Sequence, residues 1–247
     1  MEGYEKTSFT APVRGGHEVT HDIYSRGAGP VVVIVQELPG IGPETLALAE
    51  HFESEGFRVC LPHLFGPLGK VSMLGNMVRV MCLRREFKLL EKNGTSPIVD
   101  WLRALCRDIA DTQNVPGVAV IGMCLTGNFA ISLMADERVL AGMASQPSMP
   151  FFDQSSLHMS ADDVNEVRAQ LDEPMLAYRF EDDPLCTAEK FKAIDQAFND
   201  DRERIRLRAL PGKGHSVLTL DFVDEAGHPT REALDEVTHY FRSRLTA

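Results

Sequence analysis

Short runs of strand-forming residues alternate with helical stripes along this chain, and that alternation constrains the fold more than any other feature. Val31 to Val35 is a β-branched run behind Gly-Ala-Gly-Pro, as expected of a strand covered on both faces. Glu44 to Glu55 follows, with Leu46, Leu48, Ala49 and Phe52 on one side and Gly56 at its close, which reads as a helix. The pattern then repeats. Phe57 to Leu61 is a strand stopped by Pro62, and Ser96 to Ala110 carries Ile98, Trp101, Leu102, Leu105, Cys106 and Ile109 at helical period. Val118 to Ile121 precedes a helix over Asn128 to Ala135, and Val139 to Ala144 a helix opened by Ser160-Ala-Asp-Asp163, a capping box with Asp in the usual Glu position. Met175 to Phe180, Thr187 to Phe198, Ile205 to Leu210 and Thr230 to Leu245 continue the series, and His17 to Ser25 adds a strand at the front. Strand, helix, strand in this rhythm predicts an α/β domain. Its single, mostly parallel sheet has about seven to eight strands, with helices on both faces.

Nothing divides residues 1–247 into two, so one domain is expected, with a helical insertion over 66–94, where Met, Leu and Val occur without strong alternation. Composition narrows the function classes. With Lys+Arg 25 against Asp+Glu 36, the formal net charge is -11, which opposes binding to phosphate backbones and anionic membranes. Val31 to Val35, the longest purely aliphatic run, is too short to cross a bilayer, and the N-terminal MEGYEKTSFTAPVRGG has no apolar core of a secretory signal. The five cysteines, Cys60, Cys82, Cys106, Cys124 and Cys186, are odd in number and form no CxxC pair. Neither a disulfide framework nor a zinc ribbon fits them, and a reducing cytoplasm does.

The chemistry concentrates at Val118-Ala-Val-Ile-Gly122-Met-Cys124-Leu-Thr-Gly127-Asn128. A buried strand runs into small residues and then a helix, with one nucleophile at the turn. Such a turn strains the nucleophile's backbone, needs glycines for room, and sets a helix N-terminus behind a developing negative charge. The hydrolase elbow is G-x-S-x-G; here Cys124 replaces Ser, and Thr126 precedes the second glycine, Gly127. A dinucleotide fingerprint fails, because its middle glycine is missing and no acidic residue follows about 20 positions on. A phosphotyrosine-phosphatase loop fails too, because Ala130 stands where its Arg would be. The plainer reading, a buried structural thiol, is the one given to Cys60 and Cys106.

A nucleophile needs a base and the base an orienting acid. The strand Met175 to Phe180 ends in Glu181-Asp182-Asp183-Pro184, and Ile205 to Leu210 in Pro-Gly-Lys-Gly-His215. Cys124, Asp183 and His215 thus fall at the carboxyl ends of three strands, where α/β sheets gather their sites, in the chain order nucleophile, acid, base. Asp182 is the alternative acid. Glu37 lies two residues past Val35, in Gln36-Glu37-Leu38-Pro39-Gly40, and the loop after this strand supplies one oxyanion amide in such folds. Leu38 N–H and Leu125 N–H are the candidate donors.

These segments resemble the dienelactone hydrolase family. The matching pieces are Gln36-Glu37-Leu38-Pro39-Gly40, Cys60-Leu-Pro-His-Leu-Phe-Gly66, Gly122-Met-Cys-Leu-Thr-Gly127, Asp183-Pro-Leu and Gly214-His215-Ser. The resemblance implies an α/β-hydrolase fold and hydrolysis of a small ester or lactone through a Cys-His-Asp triad and an acyl-enzyme, with no metal or organic cofactor. It also implies that Glu37 is a partner of the thiol. Two departures stand out: Thr126 replaces a family glycine, and Thr219 sits where dienelactone-cleaving members carry an Arg for a substrate carboxylate. Arg84 and Arg85, from the 66–94 segment, are the substitute cations, against the plainer reading of a solvated helix face. Arg202, Arg204, Arg206 and Arg208 alternate as protection along an edge strand. The rival function is a ligand-binding or redox-sensing protein on a hydrolase fold.

Overall fold

The computed structural model describes residues 1–69, 94–149 and 155–246. Eight strands form one sheet: β1 (Glu5–Val13), β2 (His17–Arg26), β3 (Val31–Val35), β4 (Arg58–His63), β5 (Val118–Met123), β6 (Val139–Ser145), β7 (Met175–Phe180) and β8 (Ile205–Leu210). Six helices accompany them among the described residues: α1 (Pro43–Ser54), α2 (Pro97–Gln113), α3 (Leu125–Leu133), α4 (Ala161–Gln170), α5 (Ala188–Phe198) and α6 (Pro229–Leu245). The strand order is β1-β2-β4-β3-β5-β6-β7-β8. β1, β2 and β4 pair antiparallel, and every pairing from β4 through β3 to β8 is parallel.

Alternation along the central strands divides the core in two. Val31, Val33 and Val35 pack with α2, α3, α4 and α5, whereas Val32 and Ile34 pack with α1 and α6. β3 is wholly buried because helices cover both of its faces. Trp101, the only tryptophan, is fully buried on α2 and meets Phe9 and His21 edge-on. Half of the predicted capping box forms: Ser160 Oγ accepts the Asp163 amide at 3.1 Å, whereas the Ser160 amide donates to Thr95 Oγ1 at 3.2 Å and not to the Asp163 carboxylate.

Several boundaries differ from the sequence reading. β1 was not foreseen; Glu5 to Ser8 are exposed, and inward alternation is confined to Phe9, Ala11 and Val13 in its second half, too short a pattern to mark a strand. β4 runs through Pro62, which pairs with Ile23. A proline is tolerated there because β3 pairs with β4 only as far as Cys60. α3 begins at Leu125, three residues earlier than expected. β8 is the sheet edge, but the arginine series is not one device. Arg206 and Arg208 lie on the strand, whereas Arg202 and Arg204 precede it. Arg204 is buried and donates to the carbonyls of Phe198 and Arg168. Of the 66–94 segment, residues 70–93 lie outside the described residues, and Arg84 and Arg85 with them.

Candidate active site

Cys124 sits between β5 and α3 with φ 55 and ψ -121, a left-handed conformation that side chains rarely adopt. Its neighbours explain how the turn holds. A Cβ on Gly122 would lie 2.0 Å from the Thr126 carbonyl oxygen, and one on Gly127 2.9 Å from Pro147 Cα. Gly127 therefore provides the close approach for which a second elbow glycine is needed. Thr126 does not crowd the turn. Its buried hydroxyl accepts the Met123 amide at 2.9 Å and lies 3.1 Å from the Val35 carbonyl, tying the elbow to the end of β3.

β3 and β5 are neighbours in register, Val35 beside Gly122. Glu37 and Leu38 follow the end of β3, and Cys124 and Leu125 follow the end of β5, so both pairs leave the same edge of the sheet. Leu125 opens α3, so its amide has no acceptor within the helix. Gly40 closes the loop after β3, its amide bonding the Glu37 carbonyl at 2.9 Å. Gln36 fixes that loop to the end of β4, donating to Phe65 O and accepting the Leu64 amide.

Asp183 and His215 meet. His215 Nδ1 lies 3.0 and 2.9 Å from the two Asp183 carboxylate oxygens. The Asp183 side chain is fully buried, and its Oδ1 accepts the amides of Leu185 and Cys186 at 2.8 and 2.9 Å. Asp182 is exposed. Burial lowers the His215 pKa, but the hydrogen bond to Asp183 and the adjacent Cys124 sulfur outweigh it and raise the value to about 10. The loop carrying His215 is shaped by Asp221, whose carboxylate accepts the amides of His215 and Ser216 at 2.8 and 2.9 Å. Gly214, at φ 142, passes so close that a Cβ would meet Asp221 at 3.0 Å.

Glu37 is almost fully buried. Its carboxylate accepts from the hydroxyls of Ser216, at 3.1 Å, and Thr219; the Cys124 thiol is not among its hydrogen-bond partners. Desolvation pushes its pKa up, against the two hydroxyls and the charge of His215. Thr219, at the position of the family's arginine, thus binds this carboxylate.

Ser148 escaped the sequence reading. It follows β6, and its buried hydroxyl donates to Cys124 Sγ at 3.3 Å and lies 3.4 Å from His215 Nε2. No periodicity marks such a residue, because a loop brings it in. Ser216 and Thr219, one and four residues past His215, were detectable only as hydroxyls near a candidate base. A cavity of about 280 Å³ opens between α1 and α6, but it reaches this cluster only through Thr219 and not the thiol.

Cys60, Cys106, Cys124 and Cys186 are all free and buried, and burial pushes the thiols of Cys60, Cys106 and Cys186 up. Among the described residues no group of three or more His, Cys, Asp or Glu is placed to hold a metal, and no helix is long and apolar enough to cross a membrane.

Comparison with known proteins gives the arrangement its context. The family model described as "Dienelactone hydrolase family" matches residues 21–245. A carboxymethylenebutenolidase of Pseudomonas sp. (strain P51) is 31% identical over 132 residues, 49% of this chain and 52% of that protein; the match spans about half the length of this curated relative. Among solved structures, a putative dienelactone hydrolase from Klebsiella pneumoniae superposes with TM-score 0.61 at 14% identity, covering 97% of this chain and 99% of that one. The dienelactone hydrolase-like promiscuous phosphotriesterase P91 from metagenomic libraries gives 0.63 at 15% identity, covering 97% and 98%. A cold-adapted esterase from an Arctic intertidal metagenomic library gives 0.59 at 17% identity, covering 99% and 96%. These likenesses establish the α/β-hydrolase fold.

Proposed function

Since the chain belongs to the dienelactone hydrolase family, we propose that it hydrolyses a small ester or lactone through an acyl-enzyme on Cys124. The observation that carries this reading is the meeting of three strand ends: a strained Cys124, a hydroxyl contact to His215, and Asp183 on the far side of the ring. Asp183, held by two amides, fixes the ring with Nδ1–H toward itself and Nε2 toward the sulfur. His215, whose pKa is raised to about 10 by the Asp183 hydrogen bond and the adjacent Cys124 sulfur, is the base that takes the Cys124 proton, and the imidazolium so formed balances the thiolate at the α3 N-terminus.

The thiolate attacks the ester or lactone carbonyl carbon. The oxyanion turns to the Leu38 and Leu125 amides. His215 gives its Nε2 proton to the departing alkoxide, leaving a thioester on Cys124. The neutral ring then takes a proton from water, which attacks the thioester, and the acid product leaves as the thiolate and imidazolium return. Glu37 sits behind His215, clamped to Ser216 and Thr219. Its charge favours the protonated ring while its bonds anchor the base's loop. With Thr219 engaged in this way, a substrate carboxylate is not part of the reading.

The test is release of p-nitrophenol from p-nitrophenyl acetate. The protein should give a burst equal to its thiol content at Cys124, followed by slower turnover. Cys124→Ala should give neither while keeping its fold; undiminished turnover in that variant would remove the mechanism.

A further inference from the structure

We propose that Ser148 relays the proton between the Cys124 thiol and the His215 imidazole. The proposal deepens the reading above and rests on it, since it needs Cys124 as nucleophile and His215 as base.

Ser148 is fully buried. Buried serine hydroxyls most often satisfy themselves on nearby main chain. This one does not: among the described residues its hydrogen-bond partners are Cys124 Sγ at 3.3 Å and His215 Nε2 at 3.4 Å. A hydroxyl has one proton to give and lone pairs to receive, so it can stand in a donor chain from ring to sulfur or the reverse. Its backbone is fastened to the elbow. The Ser148 amide donates to the Cys124 carbonyl at 3.1 Å. The Ser148 carbonyl accepts from Asn128 Nδ2 at 3.0 Å, and the same amide group lies 3.2 Å from the Leu125 carbonyl. The backbone of Ser148 therefore keeps station with the nucleophile.

The step balances within the protein. The S–H bond of Cys124 breaks and its proton passes to Ser148 Oγ, while the Oγ–H bond breaks and that proton passes to His215 Nε2. Serine is regenerated, and thiolate and imidazolium result. The return of the thiol to neutrality runs the same path backward. No other reactant is required.

The experiment measures the burst rate with p-nitrophenyl acetate in mixtures of light and heavy water, on the full chain. Two protons in flight make the plot of rate against deuterium fraction bow in the unmodified protein. Ser148→Ala should straighten it and slow the burst roughly ten- to a hundredfold, the usual effect of losing a hydrogen bond to a charged group. It should also shift the pH dependence of Cys124 alkylation by iodoacetamide, and Ser148→Thr, which keeps a hydroxyl, should restore both. A straight plot in the unmodified protein overturns the relay without help from any variant. So does a Ser148→Ala protein with the same curvature and alkylation profile, even if its melting temperature drops. If Cys124→Ala still turns over, the acyl-enzyme reading falls and the relay with it. If Cys124 is required and Ser148→Ala changes nothing, only the relay falls.

Discussion

The two acids of the site illustrate how far one position matters. Asp183 contacts His215 with both oxygens, while Asp182 faces solvent. Asp183→Asn should lower kcat/KM for p-nitrophenyl acetate by about 10²–10⁴-fold, the range expected when a general base loses its support. Asp182→Asn should stay near the unmodified rate, and the reverse order would move the acid by one residue. Glu37 makes a different kind of prediction, because its burial raises its pKa in the folded state. A carboxyl so shifted contributes stability that is full below its ordinary 4.5 and is lost as pH rises through the raised folded value. Glu37→Gln should therefore melt higher than the unmodified protein near neutral pH, with the gap closing toward pH 4.5, and should still turn over more slowly. Thermal melts across that range check the first half and ester assays the second. Glu37 could be chosen from the sequence because a charge two residues past a buried strand is conspicuous. What it holds could not, since Ser216 and Thr219 are brought to it from about 180 residues away by the strand order.

At the scale of elements, the elbow is the piece most sensitive to a single methyl group. A methyl on Gly122 has no space against the Thr126 carbonyl, which is main chain and cannot swing aside. Gly122→Ala should cost at least about 3 kcal/mol and yield little folded protein. Gly127→Ala presses on Pro147 less severely; it should fold with a melting temperature several degrees lower, and its burst should slow because Pro147 adjoins Ser148. Circular dichroism melts beside burst assays separate the two effects. Elements with a buried face were legible in the sequence: Val31 to Val35, the α2 stripe and Met175 to Phe180 all follow from their apolar pattern. β1 was not, because an edge strand with mostly solvent-facing side chains needs no such pattern. The start of α3 was displaced because Thr126 and Gly127 look like turn residues, yet they form the first turn of that helix.

Across the whole molecule, one ionic cluster joins parts far apart in sequence. Arg14, from the β1–β2 turn, grips Asp100 on α2 with two 2.7 Å bonds and approaches Asp163 at 3.6 Å. Asp163, at the start of α4, also accepts from Thr95 and from Arg103. Burial works to raise both carboxyls, but Arg14 at Asp100, and Ser160, Thr95 and Arg103 at Asp163, hold them below the usual aspartate value of 3.8. Stability from a depressed carboxyl is complete above that value and lost as pH falls through the folded one. Asp163→Asn should destabilise the fold by about 1–3 kcal/mol at neutral pH and shrink the acid-induced loss below pH 3.8, as urea titrations at several pH values would record. None of this cluster was visible beforehand apart from the Ser160–Asp163 cap, since ion pairs between distant segments leave no local pattern. The anchoring of the site carries a last consequence, in the order in which its parts let go. The amides of Met123 and Cys124 bond to buried atoms of Thr126 and Ser145, whereas those of His215 and Ser216 both lean on one carboxylate of the exposed Asp221. Gentle warming should loosen the His215 loop while the elbow stays set, so the proposed ester hydrolysis should fade before the molecule melts.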